Sequence, residues 1–459
     1  MADYDLVVLG AGPGGYVAAI RAAQLGMTTA VIEREAVGGV CLNWGCIPTK
    51  SLLRNAEVLN LIKNAEEFGI SFDNLRYDFG VAIDRSRKVV ERLTSGVELL
   101  LKKNGVEQII GSGVLTGPST VQVDTGQTLS TDNVIIATGG KERVLPTVPV
   151  DGHAIITSRE ALELREFPPR VVIVGGGATA AEFACLYRAY GAGVTIIELL
   201  PRLIPQEDEE LSRLLERSFR QQGIEALTST RVTSVSIDDG RPRVWVANGG
   251  GGSVIECDKV LVAVGIQGNI DGIGLEGVGI ETNGEFITID ENMMTNVPGV
   301  YAIGDVTGKM PLAHVASAQG VTVVESIAGM DPVKLDYTFM PRAIYCQPQV
   351  ASFGLTEVQA QERGYSVKVG KFPLSASGKA LALDEPEGLV KLVVDSEIGE
   401  ILGAHMIGTG VSELLGELAL TRVLEGTTAE LGWLVHPHPT ISEALKEAAL
   451  AADGAAIHL

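Results

Sequence analysis

Asp5-Leu6-Val7-Val8-Leu9-Gly10-Ala11-Gly12-Pro13-Gly14-Gly15 is an apolar run that breaks into a glycine-rich loop, and Arg170-Val171-Val172-Ile173-Val174-Gly175-Gly176-Gly177-Ala178-Thr179-Ala180 repeats the pattern. Each apolar run reads as a buried strand. After the first loop an alanine-rich helix reaches Gly26, and a strand over 29–32 ends at Glu33. After the second, a helix reaches about Tyr190, and a strand over 194–197 ends at Glu198. Eighteen positions separate the third small residue from the acid in both units. One Gly-x-Gly-x-x-Gly is weak by itself, and ordinary α/β crossovers carry such loops; two units with matched terminal acids are a strong signal. The first glycine permits the tight turn, the second lets a pyrophosphate reach the backbone, and the third small residue lets helix pack on strand. Helix N-terminal N–H groups hold the anion, and the glutamate binds ribose hydroxyls. Two units imply two dinucleotides.

The remainder frames these units. An amphipathic helix is expected over 83–104, with short strands such as 121–123 after it. Strands over 134–138 and 260–264 each end in a turn, and Tyr301-Ala302-Ile303-Gly304-Asp305 is a strand ending at an acid. Beyond Met340 the texture becomes α+β: antiparallel strands over 389–394 and 401–407, then helices over 412–424 and 440–451.

A length of 459 residues suits about three domains. The formal net charge of −21 speaks for solubility and against a nucleic acid partner. No apolar run approaches the ~18 residues that span a bilayer. The first strand begins almost at once, leaving no room for a signal or transit peptide, so a cytoplasmic protein is the simplest expectation.

Five cysteines are too few and too scattered for a secreted disulfide framework. Cys185, Cys257 and Cys346 sit among apolar neighbours and read as buried thiols. Cys41 and Cys46 are different. They stand in Gly38-Gly39-Val40-Cys41-Leu42-Asn43-Trp44-Gly45-Cys46-Ile47-Pro48-Thr49-Lys50, close enough to close a small ring. No neighbouring ligand supports a metal site, so none is expected. Pro48 suits the first turn of a helix running to about Asn60, whose dipole favours a thiolate at its start. Lys50 is awkward there, since a cation in a first helical turn costs roughly 0.3–1 kcal/mol without an anionic partner. In His436-Pro437-His438-Pro439-Thr440-Ile441-Ser442-Glu443, a histidine near neutral pKa suits a dithiol that must lose a proton. Thr440-x-x-Glu443 is also a capping box for the last helix.

The segment from Gly38 to Lys50 resembles the redox-active disulfide of the dihydrolipoamide dehydrogenase branch of the pyridine nucleotide-disulfide oxidoreductases, and the resemblance extends from about residue 4 to the carboxyl terminus. It implies an α/β fold: an FAD-binding domain from residues 1–145 and 270–340, an inserted NAD-binding domain over 146–269, both Rossmann-like, and an α+β dimerisation domain over 341–459. It implies that Cys41 exchanges with substrate sulfurs, that Cys46 faces the flavin as a thiolate, and that Lys50 pairs with Glu182 beside the flavin. It makes His438 the base and Glu443 its orienting carboxylate, with His436 a neighbour, and it places that histidine at the disulfide of the other subunit of an obligate homodimer. Carried over by position, FAD contacts are Gly10, Gly12, Gly15, Glu33, Lys50, Thr138, Gly139, Asp305, Ala313 and His314, although His314 reads equally as a core histidine. NAD contacts are Gly175, Gly177, Thr179, Glu198, Val232 and Gly265. The resemblance implies oxidation of dihydrolipoamide on the lipoyl domain of a 2-oxo acid dehydrogenase core or on a glycine-cleavage carrier.

Three positions depart from the pattern. Ala180 is common in relatives that use NADP, but Glu198 opposes a 2′-phosphate: like charges about 4 Å apart repel by about 4 kcal/mol at an effective dielectric near 20. NAD is therefore expected. Thr179 replaces an aliphatic residue, and Gln349 an acid. The rival expectations are a glutathione-type or mercuric reductase, or a flavoprotein subunit without catalysis. The tail Ala451–Leu459 lacks the cysteines of a mercuric enzyme.

Overall fold

The computed structural model describes residues 2–459. Its first sheet carries five parallel strands in the order Glu107–Ile110, Thr29–Glu33, Tyr4–Leu9, Thr128–Ile136 and Val300–Ala302. The second repeats that layout as Ile224–Leu227, Gly193–Ile197, Arg170–Val174, Lys259–Val262 and Ile155–Ile156. In both, the strand before the glycine loop is central and its helix, Pro13–Gln24 or Ala178–Ala189, crosses to the next strand. Leu6, Val7, Val8 and Leu9 are buried on both faces, as the unbroken apolar run requires of a parallel sheet. Each such side chain taken from water contributes about 1.5–3 kcal/mol.

The same two hydrogen bonds fix each loop. Gly10 N donates to Ile32 O and Ala137 N to Leu9 O, each at 2.8 Å; Gly175 N to Ile197 O and Ala263 N to Val174 O repeat them at 2.8 Å. The loops therefore open at the carboxyl ends of the strands, where open α/β sheets bind ligands.

Before the fourth strand of each sheet the chain makes an antiparallel excursion: Gly113–Gly117 and Thr120–Val123 in the first, and the three-stranded Arg231–Asp238, Arg241–Asn248 and Gly251–Glu256 in the second. The latter was not anticipated, because a register shift between Val232 and Ser234 breaks its alternation. The long helix spans Phe79–Lys103, starting earlier than expected because the Asp78 side chain accepts from Val81 N at its cap.

The carboxyl-terminal region is an antiparallel sheet in the order Arg342–Ile344, Gln349–Gly354, Ile401–Gly408, Leu389–Asp395 and Val367–Pro373. All eight residues of Ile401–Gly408 are buried. Helices Val411–Val423 and Glu443–Ala452 pack on the sheet, the second so closely that a Cβ at Gly370 would lie 1.9 Å from Ala448 O. A buried Lys391–Asp208 ion pair at 3.0 Å joins this sheet to the loop before helix Glu209–Gln222. Among the described residues no helix is long and apolar enough to cross a membrane.

Candidate active site

Cys41 lies in the short helix Gly39–Asn43, and Cys46 is the first residue of helix Cys46–Lys63. The intervening turn sets their sulfurs side by side, 2.6 Å apart. The Cys46 thiol is held below its ordinary value, to about 7, first by the hydrogen bond from Cys41 and then, against burial, by the Lys50 ammonium. Cys41 is pushed the other way, by donating that bond and by burial. The two sulfurs thus have opposed preferences: Cys46 for the thiolate, Cys41 for the protonated form.

The structure brings Lys50 and Glu182 together across 132 positions, with Lys50 Nζ 2.9 Å from both Oε1 and Oε2. Glu182 is buried on helix Ala178–Ala189, so this pair ties the disulfide helix to the helix of the second loop. Burial opposes the Lys50 charge, but Glu182 and Cys46 outweigh it and its pKa is raised. The helix begins at Cys46, so Lys50 stands in its second turn and not its first, and the anionic partner expected for it is present. Tyr345 also meets the pair, through a backbone N–H donated to Glu182 Oε1 at 2.9 Å and a ring whose centroid is 4.7 Å from Lys50 Nζ. Nothing in the residues around Tyr345 marks it as a site residue.

His438 Nδ1 is 2.9 Å from Glu443 Oε1, and Glu443 Oε2 accepts from Thr440 N at 2.9 Å. Burial works against the Glu443 charge, but these donors hold its pKa below the usual carboxylate value. The capping box is only half formed. The last helix begins at Glu443 itself, after Ser442, and the Thr440 hydroxyl turns to Pro437 O at 2.7 Å and Ser442 Oγ at 2.9 Å. The His438 side chain is 77% exposed, whereas that of His436 is 3% exposed and bonded to Glu417 Oε1 at 2.8 Å. Among the described residues no hydrogen bond joins His438 or Glu443 to Cys41 or Cys46.

The two terminal acids sit alike. Glu33 accepts from Ala11 N and Glu35 N, both at 2.8 Å, and Glu198 accepts from Gly176 N at 2.5 Å and Leu200 N at 2.7 Å. Each carboxylate thus clamps its own glycine loop and retains lone pairs for other donors. Both loops leave room at their second glycine. A Cβ at Gly12 would meet only Gly39 Cα at 4.0 Å, and at Gly139, Gly177 or Gly265 it would meet nothing within 4 Å. Beyond Gly265, Val232 is buried in strand Arg231–Asp238 and Thr179 is exposed in the first helical turn. The Thr138 hydroxyl donates to Asn269 O at 2.9 Å, which joins the end of the fourth strand to the chain returning from the second sheet.

Asp305 is recessed at the end of the strand from Val300, and its carboxyl makes no hydrogen bond among the described residues; burial pushes its pKa up to about 6. A recessed acid with free acceptors suits a ligand rich in hydroxyls. Ala313 and His314 open helix Ala313–Ile327. His314 is exposed and bonded to Pro341 O at 2.9 Å, so it is not a core histidine. Open glycine cradles, clamped acids and this unpartnered carboxyl fit two dinucleotides.

Cys185, Cys257 and Cys346 are buried. Cys185 and Cys346, 161 positions apart in sequence, meet the same loop: Gln347 N donates to Cys185 Sγ at 3.2 Å, and Cys346 Sγ lies 3.1 Å from Pro348 O.

Two nucleotide-type sheets with a sulfur pair between them define a class of protein. Residues 4–320 match the family described as pyridine nucleotide-disulphide oxidoreductase, and residues 340–449 match its dimerisation domain. The chain belongs to this family and is an oxidoreductase. The dihydrolipoyl dehydrogenase of Mycobacterium leprae is 50% identical over 457 residues, with 97% of each chain covered. That of Bacillus subtilis is 44% identical over 470, with 99% of each covered. The crystal structure of LpdA from Mycobacterium tuberculosis superposes with a TM-score of 0.90 at 27% identity, covering 97% of this chain and 98% of that one.

Proposed function

We propose that this chain is a dihydrolipoyl dehydrogenase that oxidises protein-bound dihydrolipoamide through Cys41 and Cys46. The cofactors are FAD and NAD. The observation that carries the reading is the sulfur pair of opposed acidities beside the Lys50–Glu182 pair, in a chain that matches dihydrolipoyl dehydrogenases over nearly its whole length.

His438 Nδ1–H donates to Glu443, which leaves Nε2 as the lone pair that accepts a proton from a substrate thiol. In a homodimer built through the carboxyl-terminal region, the partner subunit's His438 takes that proton. The substrate thiolate then attacks Cys41 Sγ, the Cys41–Cys46 bond breaks, and Cys46 departs as a thiolate. The direction follows from acidity, since the sulfur of lower pKa leaves faster. Lys50 stabilises the charge left on Cys46. The second substrate sulfur displaces Cys41, its own proton passing to the departing Cys41 sulfur while the histidine keeps the first one, and the substrate leaves as a cyclic disulfide. FAD, when bound, would supply an acceptor for the electron pair held by the two cysteines and a hydride donor to NAD.

Gly10, Gly12, Gly15, Glu33, Lys50, Thr138, Gly139, Asp305, Ala313 and His314 would hold FAD, in a domain of residues 1–145 and 270–340. Gly175, Gly177, Thr179, Glu198, Val232 and Gly265 would hold NAD, in a domain over 146–269; residues 341–459 form the dimer. The lipoyl partner belongs to a 2-oxo acid dehydrogenase core or to a glycine-cleavage carrier, and the enzyme is cytoplasmic.

Cys46→Ser tests the reading. Lipoamide turnover should fall by more than about a thousandfold while FAD stays bound. A yellow Cys46→Ser protein with full turnover would exclude it.

A further inference from the structure

The segment from Tyr345 to Gln349 lies in the region matched to the dimerisation domain, yet it stands inside its own chain's redox site. Tyr345 touches both members of the ion pair. Its N–H donates to Glu182 Oε1 at 2.9 Å, and its ring faces Lys50 Nζ at 4.7 Å from the centroid. The ammonium has three donors. The two Glu182 oxygens, each 2.9 Å away, take up two, and the negative face of the ring covers the cation on another side.

The rest of the segment is tied to the surrounding helices. Asn60 Nδ2 donates to Gln347 Oε1 at 3.3 Å from the helix that begins at Cys46. Gln347 N donates to Cys185 Sγ at 3.2 Å on the helix that carries Glu182. Gln222 Nε2 donates to Gln347 O at 2.7 Å from the end of helix Glu209–Gln222. Ser412 Oγ donates to Gln349 Oε1 at 3.0 Å and anchors the segment to its own region. One loop thus spans the helix of Cys46 and the helix of Glu182. A cleft of about 850 Å³ opens onto both Lys50 and Tyr345, and the Lys50 side chain is 34% exposed.

We propose that Tyr345 is a positioning residue of the redox site: its ring and backbone N–H hold Lys50 on Glu182 with the ammonium within reach of Cys46. The carboxyl-terminal region therefore completes the site of its own chain as well as pairing two chains. This rests on the disulfide reading above, and its test does not use lipoamide.

Cys46 is titrated directly in the full-length, FAD-loaded protein carrying Cys41→Ser, which leaves one thiol of the pair. Iodoacetamide alkylation of Cys46 is followed by peptide mass spectrometry from about pH 5 to about pH 9. Tyr345→Leu removes the aromatic face; the midpoint should move up and the rate at neutral pH should fall roughly three- to tenfold. Tyr345→Phe keeps the face and should leave the midpoint in place. Tyr345→Met takes the place of the leucine variant if that protein does not fold. An unchanged midpoint in a folded, FAD-loaded leucine or methionine variant overturns the proposal, and so does a phenylalanine variant that shifts as far. A mere packing role would alter thermal stability without moving the thiol titration. Failure of the dithiol reading is seen separately, as full turnover by Cys46→Ser.

Discussion

At Gly12 the segment that carries the two sulfurs stands within reach of the glycine loop; at Gly177, its counterpart in the second loop, a side chain would meet nothing within 4 Å. Otherwise the loops are built alike. Gly10 and Gly175 have φ of +101° and +110°, and a Cβ on either would lie 2.3 or 2.2 Å from the carbonyl of Ala137 or Ala263. What differs is the wall. Gly38 N donates to Ala11 O at 2.8 Å, and a Cβ at Gly39 would come within 2.8 Å of Gly12 Cα, so the redox segment is pressed onto the first loop. The third small residue differs too: a Cβ at Gly15 would sit 1.9 Å from Gly10 O, whereas at 180 a methyl is present and fully buried. A loop closed in by the redox segment suits a resident dinucleotide, and an open one suits a dinucleotide that binds and leaves at each turnover.

Gly15→Ala should be the most damaging change, because backbone cannot yield where a flexible side chain would. A loss beyond about 3 kcal/mol is expected, with little FAD retained. Flavin absorbance per chain and thermal unfolding read both. A stable, fully yellow Gly15→Ala protein would mean that the first helix has room after all, and the contrast with Ala180 would be lost.

The paired acids allow a finer comparison. Each carboxylate accepts two backbone N–H groups, so the corresponding amide must turn an NH2 toward one of them. Glu198→Gln should lower kcat/KM for NAD by about tenfold and narrow the preference over NADP, since the repulsion of a 2′-phosphate disappears. Glu33→Gln should leave those constants alone and weaken FAD retention on dialysis. Exchange of the two phenotypes would reverse the assignment of the loops.

Acidity tests the wall itself. The Cys46 thiol falls from 9.0 to about 7 in the folded, reduced protein. A depressed pKa stabilises the fold in full above the unfolded value and loses that effect as pH falls through the folded one. Melting temperature of the dithiol form should therefore rise from about pH 7 to about pH 9. Above that range the raised pKa of Cys41 opposes any further gain. The oxidised protein, whose sulfurs do not titrate, should lack this slope; equal slopes in both forms would remove Cys46 as its source.

Much of this architecture was legible because the features are local. A glycine loop between a strand and a helix is dictated by backbone sterics within a few residues, and so is a cysteine at a helix start. The Lys50–Glu182 pair was legible only through resemblance, since 132 positions separate its members. Tyr345 was not legible, because what it does depends on a cation that folding brings to it, and aromatic residues in such runs ordinarily fill cores. Thr440-x-x-Glu443 misled for a related reason. Its pattern specifies a cap, but the Thr440 hydroxyl turns to Pro437 O and Ser442 Oγ instead of the helix, which starts two residues later than the cap would place it. A register shift between Val232 and Ser234 breaks the alternation of Arg231–Asp238 and hid the excursion, whose pairing is settled between strands.

Ala180→Gly should have the smallest effect. A glycine in a helix costs about 1 kcal/mol, and removal of a buried methyl adds about as much. Calorimetry should show a melting point a few degrees lower, with FAD content unchanged, because the methyl lies on the second helix and not the first. The informative quantity is KM for NAD. If the second loop is open, as the empty space at Gly177 indicates, drawing its helix closer to the strand brings no new group to the nucleotide and KM stays where it was. If KM instead falls severalfold, the methyl was holding helix from strand, and the second loop is a relaxed version of the first that one substitution can tighten.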